Sequence, residues 1–101
     1  MVRSTLRGKQ RRYLRGLGVN RKPNVLLGKA SLSSAVRTEL DQVLDAHELI
    51  KVRLLDTVAG DRKEVAKDLA AATSSELVQV LGRTVLLYRR NDEKPGIELP
   101  D

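Results

Sequence analysis

The side chains whose type and spacing could do chemistry are cations. Residues 1–30 hold nine Lys/Arg (Arg3, Arg7, Lys9, Arg11, Arg12, Arg15, Arg21, Lys22 and Lys29) and no Asp or Glu. The other 71 residues hold ten basic and thirteen acidic side chains. The net charge of +6 is therefore a basic end on a slightly acidic body. Such a field attracts a polyanion and orients its approach. Solubility needs net charge, but it does not need that charge confined to one end. Arg7, Arg11 and Arg15 recur every four residues, which stacks them on one side of a helix at a small repulsive cost. With no interspersed glutamate, a bound anion is the expected counter-charge. Arg7, Lys9, Arg11, Arg12 and Arg15 are the candidate phosphate contacts, since planar guanidinium donors suit phosphate oxygens. Five such side chains cannot all face one strand, so about three are expected to matter.

A second candidate is the loop 28–31, with Gly28, Lys29 and Ser31, placed just before an expected helix start. Outward backbone N–H groups and a helix N-terminus favour an anion. Lys29 adds a mobile point charge and Ser31 a hydroxyl, although Ser31 restricts the backbone more than glycine would. An ordinary turn and cap is the competing account. Arg83 stands in an expected hairpin turn that does not call for arginine and is an additional candidate contact; Lys22 is a candidate extension of the surface that reads equally well as a polar loop residue. Lys51, Arg53 and Arg89 read equally well as the polar sides of strands and loops. Tyr13 falls on an apolar stripe and is expected in the core; Tyr88 is expected against the sheet. His47 ends an apolar stripe and reads as a structural hydrogen-bonding residue. Nuclease chemistry needs placed carboxylates with metal, or a histidine acid–base pair. This chain has one histidine, scattered acids and no cysteine, so no enzyme, metal site or cofactor is expected.

These groups must be positioned by a small fold. A chain of 101 residues fits one domain. Leu6, Gln10, Tyr13, Leu14 and Leu17 predict a helix over 5–18, with Gly18 as its C-cap. Pro23 stops it, and residues 24–27 read as a short strand buried on both faces. Ser33 is the expected N-cap of a helix over 34–46, with Ser31 the other choice. Its core side is Val36, Leu40, Val43, Leu44 and His47; Glu39, Asp41, Asp45 and Glu48 form its polar side. Ile50, Val52 and Leu54 alternate with Lys51 and Arg53, which predicts a strand over 49–55. Asp61 with Glu64 resembles a capping box for a helix reaching Ala72. Strands over 76–81 and 84–89 flank a Gly82-Arg83 hairpin turn. The order αβαβαββ predicts an α/β fold: a mixed four-stranded sheet with parallel first crossover units, a final antiparallel hairpin and packed helices. Residues 5–90 form the expected domain and 91–101 a polar, flexible tail. No stretch approaches a membrane span, and the start Met1-Val2-Arg3-Ser4 has no apolar run suited to a signal peptide, so the cytoplasm is the default expectation. A monomer is the expected working form.

Several separated stretches, in order, carry a family resemblance. They are Leu6-Arg7-Gly8-Lys9-Gln10-Arg11-Arg12-Tyr13-Leu14-Arg15, the segment 23–36, His47-Glu48-Leu49-Ile50-Lys51-Val52, and Leu77-Val78-Gln79-Val80-Leu81-Gly82-Arg83-Thr84 through Tyr88-Arg89. Over about 5–90 the chain resembles the YhbY-type bacterial proteins of the CRM RNA-binding domain family. The resemblance implies a fold like the C-terminal domain of bacterial translation initiation factor three. It also implies ribosome biogenesis: association with a large-subunit (pre-50S) precursor and its ribosomal RNA, with ribosomal proteins as further candidate partners. Plant organellar relatives bind group II introns. The family's Gly-x-x-Gly loop, likened to that of KH domains, maps onto Gly28 and Lys29, with Ser31 where the second glycine would stand. Composition speaks only for a polyanion; RNA and the ribosome come from the resemblance. The alternative is a protein-interaction module that docks its basic helix on a ribosomal protein or assembly factor.

Overall fold

The computed structural model describes residues 6–28 and 32–101. Seven elements follow the expected order: α1 (Gly8–Gly18), β1 (Val25–Leu27), α2 (Ser34–His47), β2 (Leu49–Leu54), α3 (Arg62–Thr73), β3 (Glu76–Leu81) and β4 (Thr84–Tyr88). Local chemistry sets the boundaries. Ser33 caps α2 by accepting the Val36 N–H, and Asp61 caps α3 by accepting from Lys63 and Glu64. Glu64 itself pairs with Lys67 at 3.5 Å. Gly82, at φ 58°, supplies the positive φ of the β3–β4 turn.

The four strands form one mixed sheet in the order β1-β2-β4-β3. β1 and β2 pair in parallel, and β4 pairs antiparallel with both β2 and β3. The second crossover therefore skips a position, and the final strand fills the gap between β2 and β3. Strand alternation splits the core in two. On one face Ile50, Val52, Leu54, Val85 and Leu87 pack with Leu40 and Leu44 of α2 and Val65, Ala66 and Leu69 of α3. On the other, Leu49, Val78, Leu86 and Tyr88 pack with Leu14 of α1, joined by Leu6, Leu17, Ile97 and Leu99.

Several expectations differ from what is seen. Gly18 is the last residue of α1, and the cap is Val19 in a right-handed conformation. Gly18 is needed for approach: a Cβ there would lie 2.9 Å from Leu86 Cδ2. β1 is an edge strand, and Leu26 points to solvent, so it is not buried on both faces. Tyr13 is 43% exposed, because the helix rotates Leu14 and Gly18 inward and leaves Tyr13 on the rim. His47 is exposed on the last turn of α2. The inward residue there is Glu48, only 4% exposed; it takes φ 61° and leaves the polar side of the helix.

Glu48 also fastens residues 91–101. These form no helix or strand, but they lie along the α1 face, unlike the loose tail expected from composition. The Glu48 carboxylate accepts N–H bonds from Asn91, Gly96 and Ile97, each at 2.7 Å, and Gln10 Nε2 donates to the Pro100 carbonyl at 3.0 Å. Burial alone would raise the Glu48 pKa. The three N–H donors and the Arg90 charge outweigh it and hold the carboxyl below its ordinary value. A depressed folded pKa contributes stability that is complete above the unfolded value, about pH 4, and is lost as pH falls through the folded value. Protection of the Gly96 and Ile97 amides should therefore collapse on acidification below about pH 4. In Glu48→Ala, which removes both accepting oxygens, it should be low already at neutral pH and nearly flat. Equal protection in both proteins down to pH 2 would refute the tether.

Candidate nucleic-acid interface

The basic end does not act as one undivided patch. The packing of Leu14 and Gly18 against the sheet turns Lys9, Arg12, Tyr13 and Gly16 outward, with Arg15 half-buried at the border. Arg7 is exposed at the N-cap, where its N–H donates to Gln10 Oε1 at 3.0 Å. No ion pair among the described residues involves Arg7, Lys9, Arg12 or Arg15. α1 itself contains no acid.

Two of the early cations face inward. Arg11 donates from Nη1 to the carbonyls of Leu77 and Val78, where β3 shifts register against β4. It covers carbonyls at the outer edge of β3, an edge that would otherwise invite another strand. Arg21 donates to the Leu49 carbonyl at 2.9 Å, and Lys51 Nζ returns a bond to the Arg21 carbonyl at 2.8 Å. The expected Arg7–Arg11–Arg15 stripe thus loses its middle member, and Lys9 and Arg12 stand in its place. Lys22 is exposed beyond the helix.

The loop candidate lies at one end of the sheet. The Leu55 N–H donates to the Leu27 carbonyl at 2.8 Å and the Leu54 N–H to the Arg83 carbonyl at 2.7 Å. This brings together Gly28, the β2–α3 connection and the β3–β4 turn. Gly28 is half-buried, and a Cβ on it would meet Thr57 Oγ1 at 3.3 Å. Lys29 and Ser31 lie outside the described residues. Arg83 is half-exposed and ion-paired with Asp56, so the turn arginine has a local partner. A shallow cleft lined by Arg53, Leu55, Asp56, Thr57 and Arg83 opens beside it.

Sequence reasoning missed the role of Arg89. Its guanidinium joins Asp41 Oδ1 (2.9 Å), the Thr73 carbonyl (2.7 Å), the Asp41 carbonyl (3.1 Å) and Asp45 Oδ1 (2.9 Å). It ties α2 to the end of α3 and is not part of the basic surface. The one available signal was Asp41 and Asp45 at helical spacing, which read as solvated. Among the described residues no group of three His, Cys, Asp or Glu could hold a metal, and no helix is long and apolar enough to cross a membrane.

Among the described residues, the α/β domain thus carries a cationic outer face on α1 and gathers a loop cluster at one end of its sheet. The model of the CRS1/YhbY (CRM) domain matches residues 6–89, and the chain belongs to that family. It is 37% identical over 95 residues to the probable RNA-binding protein YqeI of Bacillus subtilis, covering 94% of this chain and 99% of that one. The probable RNA-binding protein PA4753 of Pseudomonas aeruginosa is 36% identical over 90 residues, covering 89% and 86%. The solution structure of the hypothetical protein SAV1595 from Staphylococcus aureus is similar with a TM-score of 0.80 and 44% identity, over 95% of this chain and all of that one.

Proposed function

We propose that this chain is an RNA-binding protein that holds phosphate backbone with the outer face of α1 and the loop that begins at Gly28. The observation that carries the reading is the outward set Arg7, Lys9 and Arg12, with Arg15 at its border, on a helix with no acid. The names of YqeI and PA4753 support RNA as the polyanion. The RNA in this reading is ribosomal RNA of a large-subunit precursor, with ribosomal proteins as neighbours, and the protein works as a cytoplasmic monomer. Its mechanism is occupancy: cations neutralise phosphates and hold a local RNA fold while assembly proceeds, with no turnover chemistry. The missing base-stacking pairs suit readout of shape and backbone more than of sequence.

The test is a titration of a structured ribosomal RNA fragment and a duplex DNA of equal length between 50 and 200 mM salt, concentrations chosen to expose counterion release. Tighter RNA binding that weakens steeply with salt is expected. Equal affinity for both nucleic acids sinks the RNA assignment, and a flat salt response sinks the phosphate mechanism. Crosslinking in cells then maps the RNA positions.

A further inference from the structure

The α1 side of the sheet is only partly covered. Gly18 abuts Leu86, and Lys51, opposite Leu86 in register, is tied to Arg21. The next row on the same face crosses all four strands. Leu26 lies opposite Arg53, Arg53 opposite Thr84, and Thr84 opposite Leu81. Their inward neighbours Val25, Leu27, Val52, Leu54 and Val85 are buried in the α2–α3 core, and Val80 packs against it, so this row faces away from it. Leu26 is 62% and Leu81 68% exposed, and Arg53 between them is exposed. The two leucines stand on opposite edge strands, about 14 Å apart at ordinary strand spacing. Gly28, Thr57 and the Arg83 turn border the row. Asp56, the acid lining the adjoining cleft, is paired with Arg83.

We propose that this row seats a few unpaired nucleotides, with apolar base faces on Leu26 and Leu81 and a phosphate on Arg53. The inference rests on the RNA reading above and extends it from backbone grip to the state of the RNA. Charge selects the occupant: the centre of the row is cationic and its acidic neighbour is already neutralised. The row also adjoins the C-terminal end of α1, so a strand lying along the helix can continue onto it. Paired RNA presents phosphates and 2′-hydroxyls and hides its base faces, leaving two exposed leucines nothing to cover. Unpaired bases can instead lie against apolar side chains.

The test uses the full chain and two synthetic RNAs sharing one hairpin stem, one of them carrying a single-stranded extension. Wild type should prefer the extended RNA. Leu26→Gln with Leu81→Gln should remove about fivefold of affinity for the extended RNA, leaving stem binding and salt slope unchanged. Leu26→Met with Leu81→Met should retain the preference. Arg53→Gln should weaken binding of the extended RNA and flatten its salt slope by about 0.7. An unchanged preference in the Gln pair, or an equal loss on both RNAs, overturns the inference. If Arg12→Gln still weakens stem binding in that case, the RNA reading survives it. Wild type binding neither RNA overturns both.

Discussion

Replacing Lys9, Arg12 and Arg15 together by glutamine should lower RNA affinity on the order of 100-fold near 0.1 M salt and make the salt dependence shallower by about 2 to 3 units. Each released phosphate contact removes about 0.7 to 0.9 from the slope. The fold should not suffer. None of the three makes an ion pair among the described residues. Arg12 and Arg15, three apart on the helix, repel one another, so relief of that pair is worth a few tenths of a kcal/mol in the variant's favour. Arg11→Gln is the informative contrast, because its guanidinium is engaged with the Leu77 and Val78 carbonyls. It should lose thermal stability and keep most of its affinity. A triple variant binding within twofold of wild type, or an Arg11 variant showing the larger affinity loss, would displace α1's outer face as the grip.

The largest stability effect is expected at Arg89. Arg89→Met keeps the aliphatic stem and removes four hydrogen bonds to α2 and α3. The Asp45 arm is largely exposed and contributes little. Thr73 is buried while the Asp41 side chain is half-exposed, and losing these arms leaves the Thr73 and Asp41 carbonyl oxygens short of a donor. Together they point to about 2 kcal/mol, or roughly 10 °C in Tm for a domain of this size. Arg89→Lys should recover a minor part, since a point charge cannot span carbonyl and carboxylate as a planar fork does. RNA affinity at low temperature should be unchanged. A loss below about 0.5 kcal/mol would show the network to be ornamental on the scale of surface pairs.

The contrast between Arg12 and Arg89 also marks what the sequence could reveal. Element order was legible because periodicity is local: Ile50, Val52 and Leu54 alternate, Leu40 and Leu44 recur at four, and Ser33 and Asp61 announce helix starts. Strand order was legible only in part. A crossover helix fixes handedness, but nothing between β3 and β4 says that the hairpin must insert β4 beside β2. Three-residue β1 is too short to show alternation, so Leu26 looked buried. Glu48 looked solvated because a helical wheel assumes helical backbone, and the chain turns to φ 61° at that residue. Polar composition hid Ile97 and Leu99, which pack beside α1. In the site, charge density was visible but allocation was not: Arg11, Arg21 and Arg89 serve backbone carbonyls on elements distant in sequence.

The insertion of β4 has a consequence for how the protein matures. β2 needs β4 on one side, and β3 has no other neighbour in the sheet. A nascent chain that has exposed everything up to Leu81 therefore holds a parallel pair and an orphan strand, with Val52 and Leu49 still lacking their opposite numbers. Closure waits for residues 84–88, the last of the four strands in chain order. Maturation should thus be an abrupt, late event, and any pause before Thr84 would leave sticky strand edges waiting for a partner from another molecule.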